Sequence, residues 1–122
     1  MPTEPEPVTV AQVVNRAVDV VDPEGFNDGV ADLQRRFEDD DEPVVGAIAL
    51  DQRLDEAKGA LDPQDEDPEV MMTVAVIRYL AHRRDELDDD PADILRLAAR
   101  AEFDPRPPEI VADWLAAANI EP

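Results

Sequence analysis

Prolines and acidic runs cut this 122-residue chain into short apolar segments, and each segment repeats at the period of a helix. In the first, Thr9 and Gln12 fit the Thr-x-x-Gln capping box. Val10, Val13, Val14, Ala17, Val18 and Val21 then fall on one helical face. Valine has low helix propensity, so burial must hold this segment. Asp22-Pro23-Glu24-Gly25 ends it. A second helix opens at Asn27 or Asp28 and turns Val30, Leu33 and Phe37 inward. Its end is set by Asp39-Asp40-Asp41-Glu42-Pro43, because carboxylates at a helix C-terminus oppose the macrodipole.

The pattern predicts a third helix over Val44 to Leu61, with Ala47, Leu50, Leu54, Ala57 and Leu61 as its stripe. Asp67-Pro68-Glu69 is a strong helix start, with a capping Asp, Pro at the first position and Glu in the first turn. The fourth helix should run to about Leu87. It is apolar on nearly all sides, which places it centrally or against a second copy of the chain. Asp90-Pro91-Ala92-Asp93 opens a fifth, with Ile94, Leu97, Ala98 and Ala101 inward and Leu95 at the flank. Glu109 opens the last, which carries Ile110, Val111, Trp114, Leu115 and Ala118 on one side and Asn119 as its carboxyl cap. No segment alternates as a strand would. The expected fold is therefore all-α: a single-domain bundle of five to six short helices over residues 8–122. Residues 1–7, acidic and proline-rich, are expected to form a disordered arm. The helix starts look alike, but no repeat of fixed period is evident.

Charge comes next. There are 31 Asp and Glu against 11 Lys and Arg, a net charge of −20, and Lys58 is the single lysine. Self-repulsion on this scale opposes compaction and fades with salt, since the Debye length falls from ~8 Å at about 0.15 M to ~3 Å near 1 M. Excess of Asp over Glu with almost no lysine resembles the proteins of organisms that accumulate salt in the cytoplasm. A GC-rich genome produces a similar bias. A third reading is an acidic inhibitor that mimics DNA and occupies a DNA-binding protein. Aromatic residues are only 4% of the chain, so small aliphatic side chains must build the core. Each contributes less buried area than Leu or Phe would, at ~25 cal/mol per Å².

Several function classes are hard to build from this chain. It has no cysteine, hence no disulfide or thiolate site. It has no serine, and threonine occurs only at Thr3, Thr9 and Thr73, which leaves little for hydroxyl nucleophiles. The four glycines are scattered rather than gathered into a phosphate loop. Residues 1–7 lack the features of a secretion signal, and the apolar stretch Val70–Ala81 is too short to span a bilayer. A cytoplasmic protein with no cofactor and no membrane association is expected.

Acidic strings supply the remaining site candidates. Asp85, Glu86, Asp89 and Asp93 offer carboxylates at spacings that can hold Mg²⁺ beside a substrate phosphate. Asp89-Asp90-x-x-Asp93 resembles the aspartate-rich motif of prenyl-diphosphate synthases, whose large helical cavity exceeds this chain. Asp85-Glu86-x-x-Asp89 is similar to the first motif of the small all-α MazG-like nucleotide pyrophosphohydrolases. That resemblance implies a Mg-dependent hydrolase, but the later Glu-x-x-Asp partner is missing and Pro91 interrupts the segment. Asn27-Asp28-Gly29 does not complete a calcium loop. His82, the single histidine, is placed to pair with Glu86 on a helix surface. Six arginines lie between Arg78 and Arg106, yet carboxylates interleave them, so direct nucleic-acid binding is not expected. Met71, Met72, Tyr79 and Trp114 are the candidates for an interface. The leading expectation is a non-catalytic protein acting through protein contacts, as a homodimer or an adaptor.

Overall fold

The computed structural model describes residues 8–44, 49–103 and 106–120. Six α-helices run through them: α1 (Val10–Val21), α2 (Asp28–Phe37), α3 (Leu50–Leu61), α4 (Pro68–His82), α5 (Pro91–Glu102) and α6 (Glu109–Ala117). A 3-10 turn covers Arg84–Glu86, and the described residues hold no strand. The all-α bundle expected from the apolar periodicity is the fold observed. The arm, residues 1–7, lies outside the described residues, as does Ala47 of the expected third stripe.

Helix α4 is the axis of the bundle and packs against each of the other five helices. Every residue from Val70 to Ile77 is buried, which explains why no polar face is present in its sequence. Thr73, fully buried, donates its hydroxyl to the Glu69 carbonyl at 2.7 Å, so the polar atom is satisfied inside the core. Val10, Val13, Val14, Ala17, Val18 and Val21 of α1 are all buried, and Val20 joins them. From α2, Val30, Leu33 and Phe37 complete this layer.

Chain ends of the helices are closed by specific partners. The capping box of α1 is formed: Gln12 N donates to Thr9 Oγ1 at 3.2 Å and Thr9 N donates to Gln12 Oε1 at 2.9 Å. The acidic run after α2 has a second use here. Val10 N donates to the Glu42 carbonyl and Ala11 N to that of Asp40, so the backbone of this run satisfies two orphan donors of α1. At the other end of the chain, Asn119 sits at φ 61. Ile120 N donates to Leu115 O and Asn119 N to Ala116 O, the two bonds of a Schellman closure.

Three expectations are corrected. The helix predicted from Val44 starts at Leu50. The helix predicted to reach Leu87 stops at His82, because Arg83 leaves helical geometry at φ −134. Arg16 of α1 then holds the following loop, with Nε donating to the Leu87 carbonyl at 2.6 Å and Nη2 to that of Asp89 at 3.0 Å. On α5 the buried face is Ile94, Leu95, Ala98 and Ala99; Ala101 is exposed and lines a cleft instead.

Candidate partner-binding surface

The four candidate metal carboxylates do not form one set. Asp85 and Glu86 lie in the 3-10 turn, Asp89 in the loop after it, and Asp93 in the first turn of α5. Asp93 accepts from Arg96 at 3.2 Å, and Glu86 accepts the Tyr79 hydroxyl. Among the described residues no three carboxylate or imidazole groups are gathered so as to hold a metal ion. The expected pairing of His82 with Glu86 is also corrected. With α4 ended at His82, the two residues no longer share a helical face, and Tyr79 takes the carboxylate.

A cleft of about 510 Å³ opens where α3, α4 and α5 meet, with Arg78 on its floor. The Arg78 guanidinium reaches both walls. It pairs with Asp51 at 3.4 Å and with Asp55 on α3, and with Glu102 on α5 at 2.5 Å. Burial works against its charge, but the charge of Glu102 and the bonds to Asp55 and Glu102 outweigh burial and hold its pKa above the ordinary value. Beside it, the Tyr79 phenol is pushed up to about 12, first by burial and then by the bond to Glu86 and that carboxylate's charge. Tyr79 therefore adds stability that is complete below about pH 10 and is lost as pH rises toward 12. Arg83 lies over the Tyr79 ring at 5.9 Å. His82 and Arg83 line the same cleft beside Arg78 and Tyr79.

Of the interface candidates, Met71 and Met72 are taken up by the protein's own core at 5% and 0% exposure. Tyr79 and Trp114 are half-buried against that core. Among the described residues, the large apolar side chain that stands out in solvent is a different one, Phe26, at 82% exposure.

Phe26 sits on the turn between α1 and α2, and that turn has a twin between α3 and α4. Asp22 ends α1 and accepts from Phe26 N at 3.1 Å and Asn27 N at 2.9 Å. Asp62 ends α3 and accepts from Glu66 N at 2.8 Å and Asp67 N at 3.1 Å. Both aspartates are buried, at 7% and 6% exposure. The third residue after each has positive φ, 71° at Gly25 and 54° at Asp65. The fifth residue after each caps the next helix: Asn27 accepts from Val30 N, and Asp67 from Glu69 N and Val70 N. Equivalent positions, such as Asn27 and Asp67, are 40 residues apart. The two caps also bind each other, for Asn27 Nδ2 donates to both Asp67 oxygens at 3.1–3.2 Å and to Glu69 at 3.1 Å.

The pair of turns carries a local sequence signal without a repeat of fixed period, for the next Asp-Pro helix start, Asp90-Pro91, does not follow at that interval. The signal was Asp-Pro followed by Asn or Asp at the fifth position, a pattern carried by hydrogen bonding rather than by apolar spacing. Phe26 itself was overlooked because it belongs to no helical stripe. No protein-family model, no curated protein and no solved structure matches the chain.

Proposed function

We propose that this is a small, acidic, non-catalytic helical protein that acts through protein–protein contacts, with the Phe26 turn as its contact point. The observation that carries the reading is the inequality of the two turns. The same backbone, with the same buried aspartate, carries exposed Glu66 where the first turn carries exposed Phe26. The fold at this position needs no apolar side chain, so the ring is free for a partner. Burying a phenylalanine contributes about 1.5–3 kcal/mol, and aromatic anchors dominate contact energies. The cleft fits the non-catalytic half of the reading in that its central cation, Arg78, is already engaged by three carboxylates.

We read the −20 charge as adaptation to molar salt. Far-UV circular dichroism from dilute buffer to about 3 M KCl tests that assignment. Helix that grows with salt supports it, and full helicity in dilute buffer contradicts it. The contact itself is tested by placing a photo-cross-linking phenylalanine at position 26, and separately at position 66, of the full chain in its native cells. One dominant adduct from position 26 and none from position 66 is expected. An adduct of twice the chain mass makes the contact a homodimer; a heavier or lighter one makes the protein an adaptor. Equal labelling at both positions contradicts the proposal.

A further inference from the structure

Resting on the reading of Phe26 as a contact point, we propose that its ring receives an arginine side chain of the partner protein. The described residues already contain this arrangement. Arg53 lies over the Phe37 ring at 4.8 Å from its centroid, and the same guanidinium pairs with Asp40 at 2.6 Å. An arginine stacked on a phenylalanine and tied to a carboxylate is thus a stable combination in this protein. A planar guanidinium suits it, because the face stacks on the ring while the edge donates to oxygen. The Phe26 turn holds two of these three parts and lacks the arginine. The ring is 82% exposed, and Glu24 and Asp28, both exposed, flank it two residues away on either side.

Rigidity favours the same function. Phe26 N is fixed to Asp22, and the next residue, Asn27, is tied to Asp67 of the neighbouring turn and to Glu69 in the first turn of α4. A backbone so constrained loses little further conformational freedom when the turn binds. The neighbouring turn adds exposed Asp65 and Glu66 to the same end of the molecule. In molar salt, distant carboxylates are screened, which leaves Glu24 and Asp28, two residues from Phe26 in sequence, to carry the electrostatic part of the contact. Charge complementarity therefore selects a basic partner, and the ring selects arginine over lysine within it.

The test is a titration of the full-length, ¹⁵N-labelled chain with a glycine–arginine repeat peptide and with its glycine–lysine counterpart. Amide shifts are followed at Glu24–Asp28 and at Gln64–Asp67. The arginine peptide is expected to move the first turn more than the second, and to bind there more tightly than the lysine peptide. Phe26→Glu copies the twin turn and adds a negative charge. It is expected to weaken arginine-peptide binding at that turn roughly two- to fivefold, the range of an exposed cation–π contact. Charge alone predicts the opposite sign, so equal or tighter binding by Phe26→Glu overturns the proposal. Equal perturbation of both turns overturns it as well. A cross-linked partner at position 26 together with a failed peptide titration rejects arginine and keeps the contact reading; failure of both removes the turn as a contact point.

Discussion

The turns after α1 and α3 are built from the same parts and carry different cargo. In each, a buried aspartate ends one helix and accepts two backbone N–H groups of the residues that lead into the next. The backbone is so similar that their helix-ending residues sit at φ −136, ψ 67 and φ −146, ψ 66. Yet the fourth residue after the aspartate is Phe26 in one and Glu66 in the other. Local hydrogen bonding fixes the path of the chain and leaves this position unconstrained. On the proposed function, what occupies it answers to a partner rather than to the fold.

The comparison is broken most directly at the shared aspartates. Asp22→Ala and Asp62→Ala each strip two amide donors of their acceptor, and each is expected to cost about 2–4 kcal/mol in urea unfolding. Urea is the suitable denaturant, because guanidinium would itself screen the −20 charge. Costs that differ by more than about 1.5 kcal/mol between the two variants would show that the turns are not equivalent supports.

The bond between the caps gives the next effect. Asn27→Asp keeps a capping oxygen but places a third carboxylate against Asp67 and Glu69. A loss of about 1–3 kcal/mol is expected in dilute buffer, shrinking as KCl is added. Asp67→Asn, which removes charge from the same spot, is expected to cost less. The opposite order would contradict the cross-turn bond as described.

Smaller changes separate the two positive-φ positions. At Gly25 a Cβ would meet nothing within 4 Å, so Gly25→Ala isolates the backbone penalty, about 1 kcal/mol. Asp65→Gly relieves the same strain but removes the partner of Lys58, and its net effect is expected to stay below about 1 kcal/mol. Thermal melts in matched salt measure both.

Much of the fold was legible because it rests on apolar periodicity and capping chemistry. Thr9 and Gln12, Asn27, Asp67-Pro68 and Asp90-Pro91 mark their helix starts within the sequence itself. The end of α4 was not legible, because Arg16, which holds the loop carbonyls of Leu87 and Asp89, lies 71 and 73 residues from them. The same distance problem hid the cleft. Arg78 gathers Asp51, Asp55 and Glu102 from two other helices, and no local spacing announces that convergence. The acidic string Asp85–Asp93 looked chemical for the converse reason. Its residues are close in sequence, but the chain turns between them and sends Glu86 to Tyr79 and Asp93 to Arg96. Met71 and Met72 allow a core and an interface reading on a helix that is apolar all round, with core the stronger, and burial by five neighbouring helices places them in the core.

The smallest expected effect is the most telling one. If Phe26 is a contact point, the fold does not use its side chain. Urea unfolding of Phe26→Glu in 1 M KCl, where the added charge is screened to ~3 Å, measures that claim alone. A stability within about 0.5 kcal/mol of the parent chain is predicted, as for a surface substitution. A loss of more than about 1.5 kcal/mol would place the ring among the supports of the fold and contradict its reading as a contact point.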